Sequence, residues 1–219
     1  ARIDNAYTDF ERKLYASTDG LFAKSQGNYM NQEDKNTSTY LDFLVNVDKK
    51  FGENYHLLVN LGGSFYDEKY KSDTFEGNLV GVPNFFHPSN IPSTESNYNK
   101  SELHTQTQSI YGKAEIGYRN FLYADVTGRI DWFSTLVGTS KEYVCYPSAG
   151  LSVILSEILP LPEKIISFWK IRGSYAQVGN PPSAYLPYAT VALENGNATS
   201  ANFTPASHLK PEMTKAFEF

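Results

Sequence analysis

The sequence contains one cysteine, Cys145, so it has neither an internal disulfide nor the means for a cysteine metal cluster. It has no apolar run of about 18 residues, which excludes a membrane-spanning helix but leaves spanning strands open, because their signal is far weaker. Positive charge is scarce. The 19 Lys and Arg are dispersed among 24 Asp and Glu for a net charge of −5, so there is no basic stripe to follow a phosphate backbone and no nucleic-acid partner is expected. His56, His87, His104 and His208 lack ligand spacing, so no metal and no cofactor is expected. The pair Gly62-Gly63 opens no phosphate loop. Ser134, Ser148 and Ser174 have no nucleophile context, and no two carboxylates are pinned to one cleft, so an enzyme is not expected either. The start has no initiator Met, basic n-region or apolar h-region, and Ala1 is read as beginning a mature chain or an excised piece.

What is present is alternation. In "SIYGKAEIGYRNFLYADVTGRIDW", residues 109–132, small or apolar side chains fill the even positions and Tyr111, Lys113, Glu115, Asp125, Arg129 and Asp131 the odd ones. The pattern predicts two strands whose apolar faces stay in register if Tyr118 opposes Leu122, leaving Arg119-Asn120-Phe121 as a turn with Asn120 left-handed. Alternation over 39–47, 55–70, 148–156 and 167–177, more weakly over 6–16 and again over 213–219, predicts the other strands. The polar stretches 17–36, 71–107, 134–147 and 178–212 read as long connections, and 48–54, 119–121 and 157–165 as short ones.

A soluble sheet would point Ile110, Ile116, Val126 and Ile130 inward, and a barrel in a bilayer would point them outward. Three observations favour the barrel. Long and short connections alternate, as they do at the two rims of a transmembrane barrel. Several expected strands reach the 9 to 11 tilted residues that cross a bilayer (about 30 Å of hydrocarbon). Tyr55 and Tyr118 lie beside short turns, and Phe65, Trp132 and Phe133 near long loops, which suits aromatic belts at both interfaces. The alternatives are a soluble β-sandwich or carbohydrate-binding module, and a complete eight-stranded barrel that pairs 6–16 with 213–219.

Four stretches in order, "YADVTGRIDWFSTL", "YPSAGLSVILSE", "FWKIRGSYAQVGN" and "HLKPEMTKAFEF", resemble the barrel half of SusC/RagA-like TonB-dependent outer-membrane transporters, and "FGENYHLLVNLGGSFYDEKY" resembles the strand pair before them. The resemblance implies an all-β fold, an antiparallel up-and-down transmembrane β-barrel of which residues 1–219 supply about eight strands, with the plug domain absent. Such barrels have about 22 strands around a plugged lumen. The resemblance further implies residence in the bacterial outer membrane among its lipids, TonB-energised uptake of glycans, peptides or similar nutrients, and a SusD-like lipoprotein partner for the full-length protein. The matched motifs mark strand ends and carry over no site residue.

The ligand candidates are aromatics expected on outward loops, Phe85, Phe86, Tyr143, Tyr146, Tyr185 and Tyr188, whose flat rings can stack on sugar or peptide groups or pack the loops against each other.

Overall fold

The computed structural model describes residues 1–16, 21, 25–160, 166–186, 191–194, 197–200 and 209–219. Ten strands are present among them: β1 (Arg2–Leu14), β2 (Asn28–Phe51), β3 (Tyr55–Asn78), β4 (Ser96–Tyr118), β5 (Leu122–Phe133), β6 (Tyr143–Ile154), β7 (Lys170–Asn180), β8 (Val191–Glu194), β9 (Asn197–Ser200) and β10 (Glu212–Glu218). Eight of them make one up-and-down sheet in the order β1-β2-β3-β4-β5-β6-β7-β10, and β8 pairs with β9 as a separate hairpin. Among the described residues, β1 and β10 are the two ends of that order and are not laddered to each other, which removes the closed eight-stranded ring as a description of this chain.

The register follows from the alternation. Tyr118 opposes Leu122, Ile116 opposes Ala124, Ala114 opposes Val126 and Ile110 opposes Ile130, so one face of the β4–β5 pair is apolar throughout. Continuing across, Ala124 opposes Leu151, Val126 opposes Ala149, and Leu151 opposes Gly173. The turn forms as expected, with Arg119 at φ 46° and Asn120 at φ 59°, the paired left-handed conformation that suits the twist of a tight hairpin.

The chain divides into two compact units. The first, residues 1, 40–66 and 105–219, holds the turns 52–54 and 119–121 and all of β5, β6, β7 and β10. The second, 2–39 and 67–104, has a small core of Tyr29, Leu79 and Ile91 with Phe75 and Phe86 packed on it. In its 79–95 connection the Asn90 amide donates to the carbonyls of Val82 (2.7 Å) and Phe85 (2.9 Å) and accepts from the N–H of Gly81 and Val82, so this buried side chain is satisfied on both ends.

Several connections are shorter than expected. Residues 28–36 and 48–51 belong to β2, 71–78 to β3, 96–107 to β4, 143–147 to β6 and 178–180 to β7. β2 and β3 have 24 residues each, more than twice what a bilayer requires, so much of each strand has no oily surroundings and keeps no apolar alternation to reveal it. Side-chain rungs hold these polar stretches in place: Asn31 donates to Asp9 (3.0 Å), Thr37 to Asn5 (2.9 Å), Tyr98 to Asp73 (2.7 Å). The third expected short turn falls in a longer interval between Ile154, the end of β6, and Lys170, the start of β7, and its described part begins with a 3-10 turn at Leu155–Glu157. The last expected loop contains the β8–β9 hairpin.

Charge neutralisation within single strands recurs through the sheet. Arg2 bonds Asp4, Lys100 bonds Glu102, Lys113 bonds Glu115 and Arg129 bonds Asp131, each pair two residues apart on one face of its own strand.

Candidate functional site: the two faces of the wall

The orientation of the two faces is settled within the first unit. Ile110 is 62% exposed, Val126 57% and Ile116 46%, and Ile130 is half-buried; no opposing sheet covers this face among the described residues. On the other face Ser109, Asp131 and Val144, which lie side by side across β4, β5 and β6, are 5%, 6% and 0% exposed. The apolar face is the more accessible and the charged face the more enclosed, the reverse of a soluble sheet. Phe43, Val45, Val47, Leu61, Leu151 and Ile171 extend the exposed apolar band over further strands.

Rings mark both ends of this band. At the short turns Tyr55 and Tyr118 contact each other at 5.0 Å, and Phe121 meets Tyr118 edge-on at 5.6 Å. Towards the other end Trp132 opposes Tyr143, and Trp132 shares a hollow with Leu41, Phe43, Phe65 and Ile110.

The charged face carries a transverse row. The Tyr111 hydroxyl donates to Asp42 on β2, the Arg129 guanidinium lies 5.6 Å from the Tyr111 ring centroid, and Tyr146 on β6 is the register partner of Arg129. Arg129 also donates to Asp131 (2.7 Å) and Ser109 (2.9 Å). A glycine makes room for the Tyr111 phenol: a Cβ at Gly62 would sit 2.7 Å from its ring. The row thus presents aromatic rings, a guanidinium and hydroxyls side by side, a surface suited to hydrogen bonding and stacking, with no metal-ligand cluster among the described residues.

Of the expected ligand aromatics, Phe85 is exposed and stacks on His87 at 5.8 Å, while Phe86 is half-buried and meets Tyr15 edge-on at 5.0 Å, so Phe86 packs the small core. Tyr143 and Tyr146 lie within β6, not on a loop, and because they are three residues apart they take opposite faces: Tyr143 the apolar one beside Trp132, Tyr146 the charged one beside Arg129. Tyr185 is exposed at φ 65°. Tyr188 lies outside the described residues. Reading the sequence placed Tyr111 and Arg129 on the polar parity but not in a row with Asp42, since the lateral match of β2 to β4 is a register that parity alone does not supply.

An open antiparallel sheet with oil outside and ion pairs within defines a piece of a membrane-spanning β-barrel wall. The sequence matches the family described as TonB dependent receptor-like, beta-barrel over residues 1–219, and the chain belongs to that family, which places it in the bacterial outer membrane. The family is one of transport proteins, in agreement with the expectation that this chain is not an enzyme. Among solved structures the fold is similar to the RagAB peptide importer in its 'open-open' state, with a TM-score of 0.80 at 15% identity, covering 98% of this chain and 24% of that one. It is similar also to the RagAB peptide transporter (TM-score 0.72, 14% identity, the same coverage) and to the importer's 'closed-closed' state (TM-score 0.70, 15% identity). The chain therefore spans about a quarter of the length of these structural relatives. No protein of curated function matches it in sequence.

Proposed function

We propose that this chain is a segment of the wall of an outer-membrane importer, energised through TonB and covered by a SusD-like lipoprotein in the full-length protein, that takes up peptides, glycans or similar nutrients. The inverted two-faced sheet carries the reading, because a polar, ion-paired interior is what a barrel needs to pass or hold a hydrophilic cargo. Likeness to a peptide importer favours peptides among the candidate cargoes. Tyr146, with Tyr111 and Arg129 beside it, is the candidate cargo contact on this segment, since it stands on the enclosed face; Phe85, Phe86, Tyr185 and Tyr188 are candidates on the connections.

The test is energised uptake of a labelled peptide mixture and a labelled oligosaccharide mixture by cells carrying the full-length protein. Tyr146→Ala is expected to weaken cargo binding by about 0.5–1.5 kcal/mol, the worth of one aromatic contact, while Tyr143→Ala on the lipid side leaves it unchanged. Equal loss from both variants, or TonB-independent uptake, rejects the assignment.

A further inference from the structure

At the short-turn end of the apolar face a hollow of about 310 Å³ is lined by Tyr55, Ile116, Tyr118, Leu122 and Ala124. All five sit on the side that meets hydrocarbon, so the hollow is shaped for an aliphatic chain rather than for a cargo in the lumen. Directly beside it stands Arg119. Its guanidinium lies 5.4 Å from the Tyr118 ring centroid, its Nε donates to Asn54 Oδ1 (3.0 Å), and its backbone N–H donates to the Asn54 carbonyl (2.8 Å). The turn that carries it is pinned from the other side by the Ile154 N–H donating to the Phe121 carbonyl (2.8 Å).

These contacts hold the guanidinium over the Tyr118 ring and use one of its donors. No carboxylate pairs with it among the described residues: Asp48 is engaged with His56 at 2.6 Å, and Glu53, on the adjoining turn, forms no ion pair with Arg119. On the same face of β2, Lys49 lies over the Phe51 ring at 5.3 Å, a second cation kept at the depth of the aromatic belt. A fixed guanidinium with two open nitrogens matches a phosphate, and the adjoining hollow matches an acyl chain.

We propose that Arg119 and the Tyr55–Tyr118–Leu122 hollow form a site for one anionic phospholipid, the phosphodiester on the guanidinium and an acyl chain in the hollow. Short turns face the periplasm in barrels of this kind, so the lipid belongs to the inner leaflet. The site is independent of the transported cargo. It needs only that this face meets lipid.

The experiment uses the full-length barrel protein carrying this chain, stripped of lipid in detergent and titrated with phosphatidylglycerol or phosphatidylcholine, with bound lipid counted by native mass spectrometry. The wild-type protein is expected to retain one phosphatidylglycerol in preference to phosphatidylcholine. Arg119→Ala is expected to weaken phosphatidylglycerol about fivefold or more, the effect of one basic group at a membrane surface, without changing phosphatidylcholine. Leu122→Trp, which fills the hollow and leaves the turn intact, gives the same loss and keeps the test valid should Arg119→Ala fold poorly. Equal retention of the two lipids, wild-type affinity in either variant, or full displacement by millimolar inorganic phosphate overturns the site. Cargo uptake distinguishes this outcome from failure of the transport reading, because neither substitution touches the enclosed face.

Discussion

Tyr29 illustrates how single side chains hold the second unit, whose core is small. Its hydroxyl donates to Glu11 at 2.8 Å while its ring packs with Leu79, Ile91 and Phe86. Burial first, and the bond to Glu11 second, push its pKa up from 10.0 to about 12. A phenol whose folded pKa is raised contributes stability that is intact below pH 10 and is lost as pH climbs towards 12. Urea unfolding of the full-length protein and its Tyr29→Phe variant across that range is therefore expected to show a stability difference that shrinks as pH rises. A difference that stays constant to pH 12 removes the raised pKa as a contributor. At this scale the sequence was only partly legible. The parity of Tyr111 and Arg129 was visible, but the contact of Tyr111 with Asp42 depends on Gly62 leaving room for the ring, and nothing local in Leu61-Gly62-Gly63 says which neighbour needs that room.

The strands were legible where a bilayer writes a pattern into them and illegible elsewhere. β5, expected to close at Trp132, ends at Phe133, and the Tyr118–Leu122 register is as the alternation requires, because a one-residue slip would turn every charge into oil. The polar arms 28–37 and 96–107 carry no such penalty. Side-chain rungs such as Thr37 to Asn5 replace it there, and these leave no periodic trace. The same reasoning sets the expected cost of a charge along β5. Val126→Lys, on the exposed apolar face near mid-strand, is expected to destabilise the folded barrel by about 2–4 kcal/mol, while Thr127→Lys, one position on and facing inward, costs far less. Unfolding of the two variants in lipid vesicles measures this. Equal costs would mean that the two faces meet the same medium.

For the whole molecule, the order β1-β2-β3-β4-β5-β6-β7-β10 leaves two outer strands, each with a row of N–H and C=O groups facing no partner strand among the described residues. In hydrocarbon every such group costs several kcal/mol. The 219-residue chain on its own is accordingly expected to give no stable single-channel conductance in planar bilayers, and discrete openings from it would contradict the barrel-segment reading. Architecture was the most legible level, since strand length and aromatic placement follow from crossing a slab of fixed thickness, although the alternation of short and long connections breaks between β6, which ends at Ile154, and β7, which starts at Lys170. The extra hairpin β8–β9 was not, because a four-residue strand is too short to show a period.

The pairing of Lys113 with Glu115, and of Arg129 with Asp131, along one strand means that these strands carry their own counterions. β4, whose Lys100, Glu102, Lys113 and Glu115 cancel, can be laid against the growing sheet as an electrically balanced rod. Such a strand brings no net charge to the sheet, whereas β5 brings one carboxylate, Asp125, beyond its own Arg129–Asp131 pair.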